Sequence, residues 1–125
     1  MAEHNDLGRW GEDYAAAFLE AEGYVIAERD WQVGRRDLDI IALADDRKHL
    51  VFVEVKTRQS DEMTEPEQAV DKQKMRNLAI AANAYIKQNH VELPVRFDII
   101  SIVGNGKEDR RIEHIVDAFN PMLVL

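Results

Sequence analysis

Glu54 and Lys56 stand two residues apart near the end of the run Leu50-Val51-Phe52-Val53-Glu54-Val55-Lys56-Thr57-Arg58. Side chains at i and i+2 of a strand share a face, about 6.6 Å apart along it. Glu54 and Lys56 would then point one way, and Val51, Val53 and Val55 the other. An unpaired buried charge is costly. A chain accepts it most readily where charges meet each other, a metal or a substrate. Asp39, in the upstream stretch Gly34-Arg35-Arg36-Asp37-Leu38-Asp39-Ile40-Ile41-Ala42-Leu43, is the obvious companion. Two carboxylates bind Mg²⁺ or Mn²⁺, and a lysine beside them positions or deprotonates a water.

That chemistry needs elements that bring the residues together. The Leu50 run is β-branched and aromatic, so it predicts a strand, apolar on both faces in its first half as at the middle of a sheet. The Asp39 stretch also reads as a strand. The polar segment Ala44-Asp45-Asp46-Arg47-Lys48-His49 joins the two as an antiparallel hairpin and moves Asp39 towards Glu54. Upstream, Leu7, Trp10, Tyr14, Ala17, Phe18 and Ala21 fall on one helical stripe, with Asn5 or Asp6 as cap and Gly23 as stop. Glu12 lies nearly opposite, on a small, partly apolar face with Gly8, Ala15, Ala16 and Leu19 that could pack as well. Tyr24-Val25-Ile26-Ala27-Glu28-Arg29 predicts an edge strand, and Trp31 is read as core rather than as a base-stacking ring.

Residues 59–64 are polar and read as a mobile loop. A long helix is expected from Glu65 or Pro66 to about Gln88. Its apolar arc of Val70, Met75, Leu78, Ala81, Ala82, Tyr85 and Ile86 faces the sheet, and Lys72, Gln73 and Arg76 fall on the other side. Val95 to Val103 predicts a strand in which Asp98 is structural rather than a metal ligand. Gly104-Asn105-Gly106 signals a turn, and Arg111 to Val116 a final strand. The expected fold is α/β, in the order α-β-β-β-α-β-β, as one domain over 1–125 with a central mixed sheet flanked by helices.

Composition narrows the function classes. The net charge is -8, from 16 basic and 24 acidic residues, which argues against a strong non-specific nucleic-acid binder. The basic residues nevertheless cluster, so Arg35, Arg36, Arg58, Lys72 and Arg76 are expected as a local positive rim. No cysteine is present, and His4, His49, His90 and His114 lack ligand spacing, which excludes disulfides and zinc-thiolate sites. No run approaches a membrane span, and the polar N-terminus is unlike a signal peptide. A cytoplasmic protein is expected.

Several pieces occur in a telling order: Gly8-Arg9-Trp10-Gly11-Glu12-Asp13-Tyr14-Ala15-Ala16, Gly23-Tyr24, Asp37-Leu38-Asp39-Ile40-Ile41-Ala42, Phe52-Val53-Glu54-Val55-Lys56-Thr57-Arg58, Lys72-Gln73-Lys74 and Arg96-Phe97-Asp98. Together they resemble the uncharacterised bacterial YraN family of restriction-endonuclease-like proteins, related to archaeal Holliday-junction resolvases. Where that family usually has Asn-aromatic-Arg and then Gly-Gly-Glu, this chain has Asp30-Trp31-Gln32 and then Arg35-Arg36-Asp37. The departure bears on nucleic-acid preference rather than on metal binding.

The resemblance implies a Mg²⁺- or Mn²⁺-dependent endonuclease acting on DNA, by analogy branched or damaged DNA. Asp39 and Glu54 would hold the metal, with the Val55 carbonyl as a further ligand and Glu12 completing the shell. Lys56 would orient the water or stabilise developing charge. Arg35, Arg36, Arg58, Lys72, Gln73 and Arg76 would contact nucleic acid. No membrane partner is implied, and a homodimer stays open. Two other readings stand beside this one: an inactive nucleic-acid-binding or assembly domain that keeps the nuclease fold, and a buried ion network with no ligand.

Overall fold

In the computed structural model, seven elements follow in the expected order: α1 (Ala2–Ala21), β1 (Val25–Val33), β2 (Arg36–Leu43), β3 (Leu50–Arg58), α2 (Lys72–Asn89), β4 (Val95–Val103) and β5 (Arg111–Ile115). The structure describes residues 2–58, 71–104 and 110–120, with 2–7 by backbone alone. The strands form one five-stranded mixed sheet in the order β1-β2-β3-β4-β5. β1, β2 and β3 make an antiparallel meander. β4 runs parallel to β3, and β5 returns antiparallel to β4. Parallel neighbours need a long crossover, and α2 lies within it. This is an α/β sheet with a helix on each face, consistent with the restriction-endonuclease-like architecture.

β3 is the middle strand and is covered on both sides. Val51, Val53 and Val55 pack with Ala15, Ala16 and Leu19 of α1. Leu50 and Phe52 pack with Leu78, Ala81, Ala82 and Tyr85 of α2. Strand alternation therefore puts Glu54 and Lys56 on the α2 side, opposite the three valines. Trp31 joins the α2-side core, edge-on to Tyr85 at 5.1 Å between ring centroids.

Helix α1 departs from expectation in two ways. It begins at Ala2, so Asn5 and Asp6 lie within it instead of capping it. Its buried face is also the small one: Gly11, Ala15, Ala16 and Leu19 are buried, while Trp10, Tyr14 and Phe18 are half-buried and Ala17 and Ala21 exposed. The cause is a close approach to β3. A Cβ on Gly11 would overlap Thr57 Oγ1 and sit 3.1 and 3.2 Å from Thr57 Cγ2 and Cβ. The aromatic stripe is left to wrap the flank, where Trp10 stacks on Tyr14. Gly23 ends the helix as expected. Its φ is +97°, its N–H donates to Glu20 O at 3.0 Å, and Tyr24 N–H donates to Leu19 O at 2.9 Å. That pair of bonds is a Schellman motif.

Helix α2 starts later than its apolar arc suggests. Asp71 is extended (φ -82°, ψ 179°), and its side chain accepts the Lys74 N–H, so the helix opens at Lys72. A capping carboxylate that satisfies a first-turn N–H stabilises a helix start. Residues 59–64, expected as a loop, 65–70, expected as helix, and 105–109 lie outside the described residues. The last strand stops at Ile115. No helix among the described residues is long and apolar enough to cross a membrane.

Asp98, 1% exposed on β4, is fully engaged. It takes two bonds from Arg96 at 2.9 Å, one from the Asp117 N–H at 2.9 Å, and lies 2.7 Å from His114 Nε2. Burial alone would raise its pKa. His114, Arg96 and the Asp117 amide outweigh burial and lower it. Asp98 is structural, as expected.

Gly11→Ala tests the α1–β3 contact. It gains about 0.5–1 kcal/mol of helix preference, yet overpacking of about 1–3 kcal/mol wins. The variant should melt lower than wild type, and Thr57→Ala should restore most of the loss in a double-mutant cycle. Additive losses would place the strain elsewhere.

Candidate functional site

The β2–β3 register decides where the acidic residues fall. Backbone pairing runs from Leu43↔Leu50 to Ile40↔Val53, and the next step in that register sets Asp39 across from Glu54. Here a side chain replaces the backbone partner: Val55 N–H donates to Asp39 Oδ2 at 2.9 Å. The N–H and C=O of one strand residue point to the same edge, so the Val55 carbonyl faces the gap that Asp39 fills.

Glu54 is 4% exposed. Its Oε2 lies 3.9 Å from Lys56 Nζ and 3.5 Å from Lys74 Nζ. Its Oε1 is buried with no hydrogen-bond partner. Burial, and then the Asp39 charge, push Glu54 up from the usual 4.5 to about 8. Asp39 is raised too, chiefly by burial, against the opposing pull of the Val55 N–H. Burial works to lower Lys74, but the charges of Glu54, Asp39 and Asp37 prevail and raise it. The Lys56 and Lys74 side chains are 35% and 36% exposed, so both ammoniums keep contact with water.

Glu12 reaches the same place from α1. Glu12, Asp30 and Asp39 each offer a carboxylate oxygen within 4.8 Å of the others. Burial, then Asp39 and Asp30, raise Glu12 to about 8, with Arg29 opposing the shift. Arg29 lies 4.0 Å from Glu12 and 2.7 Å from Asp13. Asp30 sits within β1 yet has φ +52°, a left-handed conformation in which Asn and Asp are the enriched residues after glycine.

The donor set consists of carboxylates from α1, β1, β2 and β3, with a backbone carbonyl at its edge. Hard oxygen donors of this kind suit Mg²⁺ or Mn²⁺ rather than soft metals. The orphaned Glu54 Oε1 is a ready ligand atom, and a cation among these groups would offset the burial and the mutual charge that raise their pKa values.

The structure thus brings Glu12, Asp39, Glu54, Val55 and Lys56 together. The residues expected at nucleic acid are more spread out. Arg35, Lys72, Gln73 and Arg76 are exposed, and Arg58 is half-buried at the end of β3. Arg36 Nε donates to Asn77 Oδ1 at 3.2 Å, which ties the start of β2 to α2. Two residues went unassigned from sequence, Asp30 and Lys74. Asp30 lay in the departing Asp30-Trp31-Gln32 stretch, and a left-handed residue inside a strand leaves no periodic signal. Lys74 lies in the Lys72-Gln73-Lys74 motif, of which the resemblance singles out Lys72 and Gln73.

A pH prediction follows from the raised carboxyls. Between 4.5 and about 8 the folded protein holds protons at Glu12 and Glu54 that the unfolded chain has lost. With divalent ions chelated, stability should therefore fall as pH rises through that window and level off above it. Asp30→Asn keeps a residue suited to the left-handed backbone and removes a charge facing Glu12. It should shallow the fall, read as melting temperature against pH; an unchanged profile would detach Asp30 from Glu12.

The model of the uncharacterised protein family UPF0102 matches residues 11–102. A UPF0102 protein of Bacteroides thetaiotaomicron is 48% identical over 124 residues, covering 98% of this chain and 99% of its own. One from Phocaeicola vulgatus is 46% identical over 121 residues, covering 97% and 98%. One from Flavobacterium psychrophilum is 44% identical over 119 residues, covering 95% and 98%. The whole acidic constellation, Glu12 included, falls inside the matched span, and the chain belongs to the UPF0102 family, the YraN family that its motifs resemble.

Proposed function

We propose that this protein is a metal-dependent endonuclease that hydrolyses phosphodiester bonds in DNA, with branched or damaged DNA as its substrate class. One observation carries the reading: Glu54 is buried against Asp39 with one oxygen unpartnered. A carboxylate kept in that state is a poor structural element and a good ligand. Asp98, equally buried on the neighbouring strand, is fully satisfied, so the fold is able to meet such a demand where the role is structural.

In this reading Asp39, Glu54 and the Val55 carbonyl hold Mg²⁺ or Mn²⁺, and Glu12 completes the set. Bound there, the ion would activate a water and offset charge growing on the phosphate. Lys56, beside Glu54 and open to solvent, donates its N–H groups to the attacking water or to a phosphate oxygen. The water-poor wall formed by Glu54 and Val55 strengthens these electrostatic contacts. Arg35 of the β1–β2 turn, Arg36 at the start of β2, Arg58 at the β3 end, and Lys72, Gln73 and Arg76 of α2 supply phosphate contacts on an otherwise acidic protein.

Glu54→Gln separates a metal ligand from a structural ion pair. The variant removes repulsion with Asp39 and leaves two lysines that water already reaches. In EDTA it should melt at or above the wild-type temperature. Mn²⁺ should raise the wild-type melting temperature, by about 2.7 kcal/mol of stability at a hundredfold excess over Kd, and leave the variant unmoved. A wild type indifferent to Mn²⁺, or a variant crippled in EDTA, would refute the metal site. Cleavage of linear, nicked, flapped and four-way DNA in Mg²⁺ and Mn²⁺ tests the reaction, with Glu54→Gln as the inactive control.

A further inference from the structure

We propose that Lys74 is a second cationic group of the site, which grips the phosphodiester together with Lys56; the proposal rests on the nuclease reading above. Lys56 comes from the end of β3 and Lys74 from the first turn of α2, yet both ammoniums converge on one oxygen, Glu54 Oε2. At 3.9 and 3.5 Å these are through-space pairs, beyond the usual range of an N–H···O bond. Each ammonium has three N–H donors, so donors remain for another acceptor. Each side chain is about one-third exposed while Glu54 is 5% exposed at its side chain. The carboxylate forms the floor and the two cations form the lip.

An anion arriving from solvent meets the lip first. Beneath it lies Glu54, with Asp39 beside it, and these acids repel a phosphate. Cations at the lip let a phosphodiester approach these acids, and two of them, one from β3 and one from α2, match its pair of non-bridging oxygens. The backbone of Lys74 is fixed, because its N–H donates to the Asp71 carboxylate at 2.9 Å. That bond gives the side chain a defined origin in the helix.

The test is the salt dependence of binding to a labelled four-way DNA, with Ca²⁺ in place of Mg²⁺, for wild type, Lys74→Gln, Lys74→Arg and Lys87→Gln. Each lost phosphate contact lowers the slope of log K against log salt by about one. Lys74→Gln should show that loss, Lys74→Arg should recover it, and Lys87→Gln, exposed in the last turn of α2, should match wild type. Acetylation of the wild-type protein gives a readout that needs no variant: bound DNA should protect Lys74 and Lys56 and leave Lys87 reactive. A wild-type slope in Lys74→Gln, or a Lys74 equally reactive with and without DNA, overturns the proposal and makes Lys74 a counter-ion of Glu54 only. A wild type that binds none of the DNA forms overturns the nuclease reading, and this proposal with it.

Discussion

The bond from the Val55 amide to the Asp39 carboxylate is the contact on which the site depends. It lies where the β2–β3 ladder gives way to a side chain, one step past Ile40↔Val53. A continued ladder would satisfy Val55 through backbone and leave Asp39 free to turn to solvent. Because the side chain takes the amide, Asp39 is held at the opening between the strands. Glu54 stands across from it on β3, and Glu12 meets Asp39 from α1. The close seat of α1 on β3, made possible by Gly11, belongs to the same arrangement: a wider gap would withdraw Glu12 from Asp39.

Electrostatics then divides the acidic residues of this sheet into two kinds. Asp98 and Glu54 are similarly buried on adjacent strands. Asp98 has an arginine fork, an imidazole and an amide, and its pKa falls. Glu54 has two distant ammoniums and an orphaned oxygen, and its pKa rises. The same burial acts on both, so the difference lies in their partners. A folded chain tolerates the unmet demand at Glu54 because three elements pack rigidly around it, and that demand is the chemical potential a cation would draw on.

The sequence made the element order, the hairpin and the opposed faces of β3 legible, because each rests on residue periodicity and turn chemistry. It also placed Asp39 beside Glu54, since register follows from the short turn between their strands. It misjudged the face of α1. Hydrophobic periodicity favours the large residues Trp10, Tyr14 and Phe18, whereas the available gap favours the small ones, and gap width is a tertiary property. The start at Lys72 was hidden for a related reason: it rests on the Asp71 carboxylate accepting the Lys74 N–H, a side-chain contact that hydrophobic periodicity does not register. Asp30 required a backbone torsion that no pattern of residues announces.

The left-handed torsion at Asp30 has an evolutionary corollary. Few side chains are at ease in that conformation, and aspartate and asparagine are the pair that share both its shape and its tolerance. Their codons differ at a single base. The formal charge at the acidic cluster can therefore step by one unit in a single mutational event with no change in backbone, and lineages can drift between a more and a less anionic site without passing through a misfolded intermediate.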